Sequence, residues 1–205
     1  MNIEVVALNT PVSEAELGKF ARFTHTPIGE PLTDKSSDDA RYVQIALSCL
    51  KMKHMSVFEF AHILLRVTCP IYVARQLMRH RNGTFLEKSL RHLEPTCSDV
   101  LGLDSDNPSD EAYLDAIRKY QELREHGAKK EDARAVLTLG TPTSFLWYIS
   151  LRSLFNVFEQ RLHPAAQEAT RDVVKEIFLI AREKFPETMN LWLSEHPIHA
   201  KILEQ

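Results

Sequence analysis

The run FAHILLRVTC at residues 60–69, followed by Pro70 and then Ile71 to His80, decides how the chain is read. Ala61, Ile63, Leu65, Val67 and Cys69 alternate with partners that include His62, Arg66 and Thr68, the period-two pattern of a strand with one buried face. Glu59 stands at the start of that strand, and His62 and Arg66 on its polar side are either interface residues or exposed ones. Pro70 suits the first position of a helix, where the N–H it lacks would be unpaired anyway, and a helix is predicted from there to about His80.

Towards the N-terminus, Asn2 to Leu8 reads as a short strand ended by Asn9, Thr10 and Pro11. Ser13 and Glu16 have the spacing of a capping box for a helix carrying Leu17, Phe20 and Phe23, with Gly18 an unfavourable residue inside it. Thr26 to Ser37 is polar, with Pro27, Gly29 and Pro31, and reads as a surface loop of the kind that closes over ligands. A second helix is predicted from Ser37 or Asp38, burying Tyr42, Ile45, Ala46, Cys49 and Leu50.

Towards the C-terminus, Pro108 to Gly127 reads as an amphipathic helix with Leu114, Ile117 and Leu123 inward, followed by a helix from Glu131 to Leu139. Thr143 to Ile149 is predicted to be a strand with Trp147 and Tyr148 in the core. Helices are then predicted over Ser150 to Arg161, Pro164 to Phe185 and near Met189 to Leu193. His196 and His199 flank a proline on a polar tail and read as solvated, with no metal implied. With no internal repeat and no long linker, residues 1–205 are read as one mixed α and β unit of the α+β class.

Hydrophobic residues make up 44% of the 205 and charged ones 26%, with six glycines and ten prolines, which excludes a disordered or collagen-like chain. No apolar run is long enough for a membrane helix, and acidic Glu4 stands where a signal peptide carries positive charge, so a cytoplasmic protein is expected. Cys49, Cys69 and Cys97 are odd in number with no close pair, suggesting neither a disulfide framework nor a zinc site. A net charge of −3 argues against a surface built as a whole for nucleic acid.

The distribution of charge is more informative. Between residues 66 and 92 lie Arg66, Arg75, Arg79, Arg81, Lys88 and Arg91, with Glu87 as the only carboxylate. Arginine matches phosphate with a planar fork of donors, so this segment suits either a phosphate-bearing ligand or a solvated basic face. On the predicted helix Arg75 and Arg79 are four apart, with Gln76 and His80 one step round. Arg79-His80-Arg81 would close that helix, where cations suit the carbonyl end of the dipole.

After that triplet come seven residues and then Ser89. Here the chain resembles the flavin-dependent thymidylate synthases, whose motif is this triplet, gap and serine. Three further blocks resemble the family in the right order: His54-Met55-Ser56-Val57-Phe58-Glu59 upstream, Ser150 to Asn156 with Arg161 downstream, and then Ala166-Gln167-Glu168. Arg134 falls where the family has another nucleotide-binding arginine. The resemblance implies the family's fold, a central antiparallel sheet with flanking helices, and its assembly as a homotetramer with active sites between subunits.

It further implies methylation of a pyrimidine nucleotide monophosphate, dUMP, at C5, with FAD as cofactor, methylenetetrahydrofolate as carbon donor and NADPH as reductant. No cysteine lies inside the matching motifs to attack C6, so positioning and electrostatics would fall to other side chains. The catalytic candidates are Arg161, to hold the uracil as negative charge develops, and Ser89, as a nucleotide-positioning hydroxyl. Gln76, Arg79, Glu87, Lys88, Ser89, Arg91, Arg134 and Arg161 are carried over as substrate contacts. His54, Ser56, Glu59, Arg79, His80, Arg81, Asn82, Glu87, Arg152 and Asn156 are carried over as flavin contacts. Arg152 and Asn156 share a helix face, and Arg161 is about half a revolution from Arg152, so each side is expected to address its own ligand.

Several positions depart from the family pattern: Asn82-Gly83 replaces a more apolar pair, and Leu86, His92, Met55 and Phe60 stand where other residues are usual. Three other readings therefore stay open. The substrate is the ribonucleotide UMP, as in nucleoside-antibiotic (polyoxin-type) biosynthesis; the chain binds the ligands without turnover; or it is a nucleic-acid-binding module using residues 66–91.

Overall fold

The computed structural model describes residues 4–29, 38–95 and 108–204. Its centre is an antiparallel pair. Strand β2 (His62–Pro70) runs against β4 (Pro142–Ser150) with Leu65 opposite Trp147 and Val67 opposite Phe145. Strand β1 (Glu4–Ala7) pairs with the free edge of β2, and β3 (Gly83–Glu87) with that of β4, giving the order β1-β2-β4-β3 with every pairing antiparallel.

Alternation decides which face is buried. Ile63, Leu65, Val67 and Cys69 of β2 and Phe145, Trp147 and Ile149 of β4 are all buried against helices. Helix α6 (Leu151–Arg161) leaves β4 directly and is capped by Ser150, whose Oγ accepts the N–H of Ser153. Leu154, Phe155, Val157 and Phe158 of α6 share a core with Val173, Val174, Ile177 and Phe178 of α7 (Glu168–Lys184) and with Met189 and Trp192 of α8 (Pro186–Glu195). On the other face Tyr148 is 45% exposed and stacks on His62 at 4.6 Å, so Trp147 is core as expected and Tyr148 is not. Adjacent residues of a strand point to opposite faces, so both rings could not be buried in one layer.

Helix α1 (Glu14–Phe23) starts with the expected capping box, and α2 (Asp39–Lys51) is capped by Asp38. Glu14 is buried and its carboxylate accepts the N–H groups of Thr188 at 2.6 Å and Glu187 at 3.3 Å, capping the start of α8 from a helix far away in sequence. Helix α4 (Pro108–Glu125) buries Tyr113, Ile117 and Tyr120 and is followed by Gly127 at φ +86°. Among the described residues no helix is long and apolar enough to cross a membrane. Residues 30–37 of the polar loop and Cys97 lie outside the described residues.

Four boundaries differ from the sequence reading. Helix α3 (Ile71–Leu77) stops short of His80, with Pro70 as its cap and the last residue of β2. The chain must turn after Leu77 to add β3 to the sheet, so Arg79-His80-Arg81 sits in the turn and does not cap a helix; Arg75 and Arg79 share no helix face. The helix expected over Glu131–Leu139 is a single turn, α5 (Lys130–Ala133), and a 3-10 turn over Arg134–Val136. The carbonyls of Leu139 and Thr141 are drawn away to accept the first free N–H groups of α3, from Tyr72 and Ile71. Residues Pro164 to Gln167 form a turn ahead of α7. A last helix, α9 (Pro197–Leu203), replaces the polar tail: His199 is buried, and His196 stacks on Trp192 at 4.1 Å, so these histidines are packed and not solvated.

Gly18 is explained by packing. A Cβ there would lie 1.9 Å from the carbonyl oxygen of Tyr42, so α1 and α2 meet backbone to backbone. Helix propensity alone favours alanine at an interior position by about 1 kcal/mol. Gly18→Ala is nevertheless expected to destabilise the fold by at least about 2 kcal/mol in urea denaturation, because backbone cannot yield as a side chain can. A stabilised variant would show that the two helices are free to separate.

Candidate active site

Three pieces of chain converge beside the start of β3. The turn after α3 brings Arg79, His80, Arg81 and Asn82, the end of β4 brings Ile149, and α6 brings Ser153, Asn156, Gln160 and Arg161, together lining an open cleft of about 530 Å³. A second hollow of about 340 Å³ is lined by Glu59, Asn82, Arg152, Ser153 and Asn156. The two share Asn82, Ser153 and Asn156, so they form one groove.

Within it Arg161 is tethered at two points. Its Nε donates to His80 Nε2 at 3.0 Å and its Nη2 to the carbonyl of Gln76 at 3.3 Å. Burial and the neighbouring Arg161 charge press the His80 pKa down to about 4, so this ring is neutral at physiological pH. Burial and Arg79 lower the Arg161 pKa from its usual value, without threatening its charge. Glu59 lies in a 3-10 turn (Met55–Glu59) ahead of β2. It accepts hydrogen bonds from Ser150 Oγ at 2.8 Å and Arg152 Nη1 at 3.1 Å. Asn156 Oδ1 accepts the amide of Gln160. Four arginines against one carboxylate make the groove cationic, and its donors suit a phosphate-bearing ligand.

The side chains of the remaining predicted residues do not line this groove. Glu87 and Lys88 line a separate hollow of about 330 Å³ with Arg66, Leu86, Ser144, Phe145 and Leu146, and Glu87 accepts the hydroxyl of Thr143 at 2.8 Å. Ser89 Oγ accepts the N–H of Arg91, whose guanidinium pairs with Glu131 at 3.4 Å; Arg134 donates to the carbonyl of Glu131. The side chain of Gln76 bonds that of Gln167. His54 and Ser56 are exposed at the 3-10 turn. The basic segment 66–91 is therefore divided among several places: Arg66 pairs with Glu4 and shares a hollow with Lys88, the triplet enters the groove, and Arg91 pairs with Glu131 of α5. Half a turn apart on α6, Arg161 lines the larger hollow and Arg152 the smaller, with Asn156 common to both.

Residues 6–187 match the sequence profile described as thymidylate synthase complementing protein. The chain belongs to this family. It is 32% identical over 168 residues to a flavin-dependent thymidylate synthase of Thermosipho africanus, covering 69% of this chain and 73% of the relative. A flavin-dependent thymidylate synthase of Thermus thermophilus is 32% identical over 157 residues, covering 67% and 58%, and one of Synechocystis is 26% identical over 204 residues, covering 89% and 91%. Among solved structures, the UMP/dUMP methylase PolB of Streptomyces cacaoi bound with 5-Br dUMP superposes with a TM-score of 0.79 at 23% identity, over 94% of this chain and 95% of that one. The same methylase bound with 5-Br UMP gives 0.74 at 21% identity, over 94% of each chain. These likenesses establish the fold.

Among the described residues neither cysteine lines the groove. Cys69 is buried, and burial reinforced by the Glu87 charge pushes its thiol up to about 12. Cys49 is likewise raised by burial. A thiol in that state supplies no thiolate.

Sequence reasoning missed Ser150, Ser153, Gln160 and Ile149. The spacing of Ser153, Asn156 and Gln160, three and then four residues apart, is one stripe of a helix and was the available signal. The unusual Gly83 has a steric cause. A Cβ there would meet Trp147 Nε1 at 2.4 Å, and Trp147 is fully buried with Phe85 stacked over it at 5.0 Å. Gly83→Ala is expected to cost about 2 kcal/mol in chemical denaturation, by overpacking. In a Trp147→Phe background, which lacks the opposing nitrogen, the added cost of Gly83→Ala should be smaller; equal added losses in both backgrounds would refute the contact.

Proposed function

We propose that this chain transfers a one-carbon unit to C5 of a uridine monophosphate, with dUMP as the leading substrate, and acts as a flavin-dependent methyltransferase. The observation that carries the reading is the cationic groove itself: a tethered Arg161, a neutral His80 and no activated thiol among the described residues. The relatives' names, flavin-dependent thymidylate synthase, support the same reaction.

The groove fits FAD in chemistry. Arg79, Arg81 and Arg152 supply charge for phosphates, while Asn82, Ser153 and Asn156 supply short polar groups along a continuous floor. When bound, FAD reduced by NADPH supplies the reducing equivalents, and methylenetetrahydrofolate supplies the carbon. Glu59 fixes Arg152 through its ion pair and Ser150 through its hydroxyl, holding that wall of the groove. Arg161, already drawn towards the cleft, presents its free donors to the uracil as negative charge develops. Such stabilisation replaces the covalent activation that a thiolate would provide.

Glu87, Lys88, Ser89, Arg91 and Arg134, carried over as nucleotide contacts, lie outside the groove of the same chain. This separation supports a homotetramer in which each site is completed between subunits, with residues 1–205 of each acting as one domain. The ribonucleotide UMP is the second reading, favoured by the UMP/dUMP methylase PolB, which binds both 5-Br dUMP and 5-Br UMP.

Anaerobic incubation of the flavin-reduced protein with methylenetetrahydrofolate and either dUMP or UMP should yield a 5-methyl nucleotide from at least one of them. No product from either, with FAD bound, would sink the assignment. Arg161→Ala is expected to lower turnover by about 100-fold or more while the thermal midpoint is kept. Cys69→Ala, in contrast, should leave turnover within about threefold of the parent, since a thiol held protonated contributes no nucleophile.

A further inference from the structure

We propose that His80 is a positioning residue for Arg161, setting the orientation in which the guanidinium meets the pyrimidine, and is not held in the site primarily as a flavin contact. The inference rests on the reading of Arg161 given above. It begins from hydrogen-bond logic: a guanidinium has only donors, so the 3.0 Å contact from Arg161 Nε requires a lone pair on His80 Nε2 and places the ring proton on Nδ1. With Nε directed to His80 and Nη2 to the Gln76 carbonyl, one edge of the guanidinium is fixed, and the end-on fork of Nη1 and Nη2 is left for a ligand.

The anchor is built into the fold. His80 is 8% exposed, and its N–H bonds the carbonyl of Leu77 in the turn that ends α3, while Arg161 is the last residue of α6. Two elements separated by 81 positions in sequence thus hold the two partners at fixed distance. A long side chain at a helix end would otherwise sample many rotamers, and preorganised donors are worth most where charge develops only in the transition state. The contact needs a neutral ring. The charged groups around His80 are Arg161 from α6 and Arg79 and Arg81 on its own turn, and no carboxylate is among the residues lining the cleft. Protonation would therefore place a like charge and a competing N–H against Arg161. The folded-state pKa near 4 lies below the ordinary histidine value of 6.5, so the anchor is intact above about pH 6 and opens as pH falls through 4.

Two arms test this, using the intact flavin-loaded protein and dUMP and UMP as probes. In the first, His80→Leu, which removes the acceptor, should lower kcat about 100-fold while flavin per chain and the nucleotide KM change less than about threefold; His80→Gln, which keeps an acceptor near the Nε2 position, should restore most of kcat. In an Arg161→Lys background, His80→Leu should add little further loss. Loss of flavin from His80→Leu with unchanged kcat per bound flavin would overturn the proposal, as would failure of His80→Gln to rescue. The second arm needs no turnover. The imidazole nitrogen resonances absent from His80→Gln should show a ring protonated on Nδ1 that resists protonation towards pH 4 in the parent and titrates at higher pH in Arg161→Gln. An unchanged titration would overturn the pairing even in an active enzyme, whereas an inactive parent with the expected titration would condemn only the assigned reaction.

Discussion

Nine residue pairs join β2 to β4, from His62 opposite Ser150 to Pro70 opposite Pro142, and the site follows from where that ladder ends. At one end Ser150 turns the chain into α6, and at the other Pro70 turns it into α3. Because β3 must rejoin β4 with Gly83 opposite Ile149, the intervening chain has to travel back along the strand. Seven residues of α3 rise about 10 Å, and the turn after them completes the journey. Arg79, His80, Arg81 and Asn82 are thereby delivered beside α6. The groove is thus a consequence of strand pairing more than of local preference.

Charge in that groove is arranged asymmetrically. Arg152 has a carboxylate partner in Glu59, with Ser150 sharing the same carboxylate. Arg161 has none among the described residues, and is held by a neutral ring and a backbone carbonyl. An arginine paired with a carboxylate is largely compensated, while one held by neutral acceptors keeps its full attraction for an anion. The first arrangement suits a wall and the second a working cation. Burial keeps both Cys69 and His80 neutral, one as a protonated thiol and the other as an acceptor.

Glycines that weaken a sequence-based reading become intelligible as contacts. Gly18 lies inside a helix because the Tyr42 carbonyl occupies the space of a side chain, and Gly83 begins an edge strand because Trp147 does. The second case bears on the departure of Asn82-Gly83 from the family pattern, for Gly83 leads into the strand that Phe85 stacks on Trp147. Buried large residues and the small ones beside them are set together by the close packing of the interior.

Much was legible in the chain before any coordinates. The alternation from Ala61 to Cys69, the capping residues Ser13 and Asp38, and the apolar stripe of α6 each reflect a period fixed by local backbone geometry, so elements and core followed from spacing. The triplet at residues 79–81, Glu59, Arg152 and Asn156 were likewise named from the family resemblance and do meet in one groove. Tertiary structure alone decided that α3 ends at Leu77, that residues 83–87 form a strand, and that His80 faces Arg161 while Ser89, Arg91 and Arg134 gather at another place. The physical reason is that strand pairing and the partner of a buried polar atom are set by residues distant in sequence, about which the spacing of neighbours carries no information.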